Sequence, residues 1–170
     1  MLMHTASGNY AVRRIPWAWE NPVVQELVLK YDRQRQFGTP AEAQTVIETA
    51  LNLAPIPPAS PVLDVGCGLG YHAAAFARRG YAVTAFDPGE QYLALAAALA
   101  ADEGLRIEFR QARCQELADE DRYALAWAGG YSPGAQWPAE VREDFRRIRR
   151  ALRPGGWFLA TMTGIPKRPA

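Results

Sequence analysis

Two aspartates and a run of bare backbone carry the chemistry of this sequence. In VLDVGCGLGYH, Val62 to His72, Asp64 sits inside an apolar run and glycines follow at 66, 68 and 70. A buried carboxylate is costly unless something cationic or hydrogen-bonding meets it. Glycine lets the chain turn tightly and lets a ligand touch the main chain with no Cβ between. A helix beginning there offers its first N–H groups to a carboxylate or phosphate. A second acid, Asp87, closes the run YAVTAFD 21 residues after Gly66. A carboxylate so placed accepts hydrogen bonds from both hydroxyls of a ribose and repels a 2′-phosphate. The spacing is G-x-G-x-G, whereas a dinucleotide loop wants G-x-G-x-x-G, and Tyr71 holds the position of its last glycine. That disfavours a nicotinamide dehydrogenase. No Gly-Lys-Ser/Thr follows, which excludes a Walker loop.

For these residues to act together, the chain must bring strand ends to one edge of a sheet. The runs PVLDVG, YAVTAFD, LRIEFRQ, RYALAWAGG and, after a Pro-Gly-Gly turn, WFLATMTG read as five strands. Between them lie helical stretches: YHAAAFARRG closed by Gly80, PGEQYLALAAALAADEG ending at Gly104, and AEVREDFRRIRRAL with Val141, Phe145, Ile148 and Leu152 on one face. Such alternation predicts an α/β fold, a Rossmann-like three-layer sandwich with a mostly parallel sheet of about five strands. Upstream, Thr39-Pro40-Ala41-Glu42 is a capping box opening a helix to about Leu53, and APIPPASP ends it. VVQELVLKYDRQRQF reads as a further helix with Val24, Leu27, Val28 and Tyr31 on one stripe. The first 22 residues, with Trp17, Trp19, Pro16 and Pro22, read as an extended arm that packs on something.

The bulk numbers narrow the class. A chain of 170 residues that is 49% apolar and 22% charged forms one ordered domain rather than a disordered segment. A net charge of +1 argues against nucleic acid or a membrane surface as partner, since both need a concentrated positive field. Two cysteines do not make a disulfide framework, which points to a reducing compartment. No apolar run is long enough to span a bilayer and the start is not a secretory signal, so a cytoplasmic location is expected.

VLDVGCGLG, VTAFDP and LRPGGWFLA, in that order, resemble three motifs of class I S-adenosylmethionine-dependent methyltransferases, and the resemblance covers roughly residues 40 to 163. It implies S-adenosyl-L-methionine as cofactor, no metal, and a small-molecule substrate methylated by in-line displacement. In that family the loop matching Gly66, Cys67, Gly68 and Gly70 contacts the methionine portion, and the acid matching Asp64 helps hold the amino group. Asp87, with Pro88 beside it, matches the ribose-binding acid. Arg113 stands where many relatives carry an aspartate on the adenine amino group, so main chain near Arg113 and Cys114 is expected to face the adenine. Tyr123-Ala124 replaces the usual Phe-Asp. On this reading residues 1–38 are an N-terminal arm and helix, and 39–163 the cofactor-binding core of one domain. The family fold continues past the fifth strand with a helix and an antiparallel strand pair, which this sequence lacks. The fifth strand is therefore expected to be exposed, and a partner subunit, a second copy or the aromatic arm to cover it. The alternative implied is a shortened, non-catalytic or repurposed domain that binds the cofactor or serves another subunit.

The sequence names no convincing general base. His72 opens the helix after the loop, where an exposed helix-start histidine is the plain alternative. Tyr131 and Ser132, after the fourth strand, are at the right sheet end to line a substrate pocket or simply to form a Gly-Pro loop. Trp17, Trp19, Trp127 and Trp137 wall an apolar pocket or fill the core. His4 lies in the arm and is a weaker candidate, and Tyr31 is placed to cover the cofactor. The arginines from Arg142 to Arg153 alternate with Glu140 and Asp144 at helical spacing and read as a solvated face.

Overall fold

The computed structural model describes residues 2–4, 10–12, 39–131 and 139–162. The expectations for Trp17, Trp19, Tyr31, Ser132, Trp137 and a helix over 23–37 lie outside the described residues. Two short strands, β1 (Leu2–His4) and β2 (Tyr10–Val12), pair as an antiparallel hairpin. The main sheet holds β3 (Pro61–Val65), β4 (Ala82–Asp87), β5 (Ile107–Gln111), β6 (Tyr123–Tyr131) and β7 (Leu152–Met162). The helices are α1 (Pro40–Leu53), α2 (Tyr71–Arg78), α3 (Glu90–Asp102) and α4 (Ala139–Ala151).

The strand order is β5-β4-β3-β6-β7, and every pairing is parallel. Among the described residues no antiparallel strand joins these five. The chain winds outward from β3 through β4 to β5, then returns across the sheet to β6. Between β3 and β6 the winding direction reverses, and that is where an open α/β sheet leaves a crevice at its carboxyl edge. Asp64 and Trp127 are register partners across this pair of strands.

Alternation along the strands sorts the core into two layers. Val62, Val83, Ala85, Phe109 and Leu125 pack with Ile47 of α1, Phe76 of α2 and Leu93 of α3. Leu63, Val65, Phe86 and Ala126 pack on the other face with Ile148 of α4. The α1 start follows the sequence signal: Thr39 Oγ1 accepts from Glu42 N at 3.2 Å, and Glu42 Oε2 accepts from Thr39 N at 2.7 Å. An Arg79–Glu48 pair at 2.5 Å ties α2 to α1.

Three expectations shift in detail. The helix expected from Pro88 begins at Glu90, because the Asp87 side chain holds Pro88-Gly89 in a turn by accepting from Gly89 N at 2.8 Å. The Pro-Gly-Gly turn is a bulge within β7: the register passes from Tyr123↔Leu152 to Leu125↔Trp157, with Gly155 at φ 76°. The described part of the arm lies against α3 and β5, at the opposite sheet edge from the strand it was expected to cover. β7 is the other edge of the sheet, and Trp157 on it is 44% exposed. On α4, Glu143 takes both Arg146 and Arg147, and Arg150 reaches Glu120, which makes this helix face ion-paired.

Candidate functional site

The loop after β3 is shaped by its own main chain. Cys67 N donates to Phe86 O at 2.9 Å, which bridges the loop to β4, and Gly70 N donates to Cys67 O at 2.8 Å. Gly66, Gly68 and Gly70 all take left-handed φ, at 66°, 51° and 74°. The outer two serve different ends. A Cβ on Gly70 would lie 2.8 Å from Ala96 Cβ, so its bareness lets the loop press onto α3. A Cβ on Gly66 would meet nothing within 4 Å, so the main chain there faces open space.

Both acids converge on this loop. Asp87 Oδ2 accepts from Gly68 N at 3.0 Å and Oδ1 from Gly89 N at 2.8 Å, so the carboxylate braces the loop against the β4 end. Burial raises its pKa, opposed by those two N–H groups. Asp64 is 1% exposed, and its Oδ2 has no hydrogen-bond partner among the described residues. Burial lifts its pKa from 3.8 to about 7; the Ala73 N–H opposes the rise and the Asp87 charge adds to it. A buried acceptor without a donor is uncommon and marks a place where a ligand can be held.

The remaining expected residues distribute as follows. Cys67 is buried in the loop, its thiol pushed well above its usual pKa by burial. Pro88 follows Asp87, and its carbonyl accepts from Gln111 Nε2 at 3.3 Å. Arg113 is at the carboxyl end of β5, exposed, its N donating to Glu116 Oε2 at 2.6 Å. Ala112 N donates to Asp87 O at 3.3 Å, so the main chain entering Arg113 does lie beside the acid. The Cys114 side chain turns the other way, with Sγ 3.7 Å from Asp144 O of α4. Burial, with Asp144 nearby, pushes that thiol up to about 12. His72 packs on Trp127 with ring centroids 5.4 Å apart, and burial lowers its pKa to about 4. It is therefore a partly buried, uncharged ring, not an exposed helix-start residue. Tyr131 ends β6, paired with Met162.

Sequence reasoning missed Gly129. A Cβ there would lie 2.7 Å from His72 Cε1 and 2.8 Å from both His72 Nδ1 and Trp127 Nε1. The available signal was a Gly-Gly pair ending a buried strand, which reads as close approach. A cavity of about 690 Å³, lined by Tyr81, Thr84, Ile107, Glu108 and Arg122 among others, lies at the amino ends of β4 and β5. It is at the wrong sheet edge for a ligand held by the glycine loop.

The family model described as "Methyltransferase domain" matches residues 62–156, more than half of the chain. The chain belongs to that family. It is 35% identical over 109 residues to a ubiquinone biosynthesis O-methyltransferase of Pseudomonas paraeruginosa, covering 62% of this chain and 46% of that one. The counterpart from Pseudomonas syringae is 32% identical over 145 residues, covering 81% and 59%. Among solved structures, an S-adenosylmethionine-dependent methyltransferase from Mesorhizobium loti is 27% identical with a TM-score of 0.53, covering 66% of this chain and 50% of that one. A Pyrococcus horikoshii protein reaches a TM-score of 0.67 at 22% identity, with 79% and 65% covered, and supports the fold alone. The chain spans about half the length of the curated relatives it matches.

Proposed function

We propose that this methyltransferase-family chain binds S-adenosyl-L-methionine and directs its methyl group to a small molecule. The observation that carries the reading is Asp64 Oδ2: a buried carboxylate oxygen, unpartnered among the described residues, beside main chain that is open at Gly66. These residues fit the cofactor. Asp64 would meet its cationic amino group, Gly66 and Gly68 would let its methionine portion lie on the main chain, and Asp87 would accept from the ribose hydroxyls. Main chain near Pro88, Arg113 and Cys114 would flank the adenine. When bound, the cofactor supplies a sulfonium whose methyl is already activated. The protein's task is then to hold the acceptor in line at contact distance and keep water out. The names of the relatives favour an oxygen acceptor. Residues 39–163 form the cofactor-binding core. A cytoplasmic location and a second copy along the β7 edge belong to the same proposal; the unpaired Cys67 and Cys114 support the first. Sedimentation checks the second.

Calorimetric titration with S-adenosylhomocysteine is the test. Binding that falls about 10- to 100-fold in Asp87→Ala supports the reading, the size expected for hydrogen bonds to a charged group. Failure of both proteins to bind, or equal binding by both, overturns it.

A further inference from the structure

A second orphan polar atom stands beside the first. Trp127 is 3% exposed, and its indole Nε1 has no hydrogen-bond partner among the described residues. Trp127 and Asp64 are register partners on adjacent strands, so their side chains leave the same face of the sheet side by side. One is a donor and the other an acceptor, yet they do not bond each other. The indole and the His72 ring instead both close on Gly129, whose missing side chain lets Trp127 Nε1 and His72 Nδ1 approach the same point to 2.8 Å each. We propose that Trp127 Nε1 and the His72 imidazole form a hydrogen-bonding subsite for an uncharged hydroxyl group of the methyl acceptor. This rests on the cofactor reading above and adds the residues that hold the acceptor.

The chemistry of the pair selects the ligand group. An indole N–H only donates, so the ligand atom must accept. An ammonium group accepts nothing. A carboxylate would be brought toward the Asp64 carboxyl on the neighbouring strand, and like charges that close are disfavoured. A hydroxyl accepts from the indole and donates to a ring nitrogen of neutral imidazole. The burial that holds His72 uncharged at neutral pH suits that role and makes it a positioning residue rather than a strong base. The same indole forms part of the wall of an apolar cavity of about 320 Å³ between α1 and the β6–β7 edge, with Val46, Leu53 and Leu159 around it. That gives the hydrocarbon body of such an acceptor a place beside its polar end.

The test uses the ¹⁵N-labelled full chain loaded with S-adenosylhomocysteine, titrated in parallel with p-cresol and with toluene, which lacks only the hydroxyl. The Trp127 indole N–H resonance is assigned by its loss in Trp127→Phe. The expected result is a downfield shift with p-cresol and none with toluene. p-Cresol affinity should fall about tenfold in His72→Phe, as for one lost hydrogen bond, and be largely kept in His72→Gln, with toluene affinity unchanged. A like response to both probes, no response to either, or unaltered p-cresol affinity in His72→Phe overturns the subsite, as does an indole already bonded to a water that p-cresol leaves in place. If S-adenosylhomocysteine itself fails to bind, the cofactor reading falls with it. Binding of S-adenosylhomocysteine with an indifferent indole removes the hydroxyl subsite alone.

Discussion

If Asp64 holds the cofactor as proposed, cofactor uptake and chain stability should depend on pH in opposite senses. Burial raises the Asp64 pKa to about 7 in the fold, against 3.8 for an ordinary aspartate carboxyl. That gap is worth about 4 kcal/mol between the two protonation states. The sign follows from linkage: with the folded value above the unfolded one, the folded chain holds the proton more tightly. Its contribution is complete below pH 3.8 and is lost as pH rises toward 7. A cationic amino group bound at Oδ2 favours the carboxylate and so must expel that proton. Below pH 7, affinity should therefore rise about tenfold per pH unit, then level off. Calorimetry with S-adenosylhomocysteine in buffers of different ionisation enthalpy counts the proton. About 0.9 should leave at pH 6, about 0.5 at pH 7 and about 0.1 at pH 8. Urea unfolding across pH 5 to 8 supplies the second arm. Asp64→Asn, which keeps the shape and drops the ionisation, should lose most of the wild-type slope and bind the ligand weakly. No proton release at pH 6, or matching slopes for the two proteins, would refute this account of the acid.

Four further outcomes follow from the same geometry. Gly70→Ala combines φ 74° with a 2.8 Å approach to Ala96 and should cost about 2–4 kcal/mol in urea unfolding. Gly66→Ala, at φ 66° but in open space, should cost only about 1–2 kcal/mol in stability while weakening S-adenosylhomocysteine binding more than tenfold. Thr39→Ala removes the capping box of α1 and should cost about 1 kcal/mol by the same unfolding assay. Cys67 and Cys114 both have raised pKa values, so a thiol-disulfide reagent at pH 8 should label neither in the folded chain over minutes and both in guanidinium.

Strand and helix order were legible because the pattern repeats: the strands are apolar runs, α1 opens at a cap, and α2 and α3 close at glycines. Ends were less legible where a side chain overrides propensity. Asp87 takes Gly89 N for itself and delays α3, and nothing in the sequence of β7 says that four residues bulge out before pairing resumes. The two described strands of the arm approach the β5 edge, while its tryptophans lie outside the described residues. Alternating residues in three-residue strands leave no mark strong enough to say which sheet edge they approach, and exposure of β7 is not an attraction specific to any segment.

The two halves of the site differ in the same way. The loop proposed to face the cofactor is built from main chain held in left-handed turns, and such turns demand glycine, so the spacing itself announces them. Asp64 and Asp87 announce themselves as charges in apolar strands. The acceptor side is made from side chains whose types are ambiguous: a tryptophan in a strand is ordinarily core, and a histidine opening a helix is ordinarily wet. What suggests a role for Trp127 and His72 is the crossing of the chain from β5 back to β6, which sets Trp127 beside Asp64 and leaves an N–H and a carboxylate oxygen both unmatched among the described residues. That is a property of register, known only once the strand order is known. Gly129→Ala, whose Cβ would crowd both the Trp127 and His72 rings, would accordingly disturb the acceptor side, while the loop and both aspartates keep their bonds.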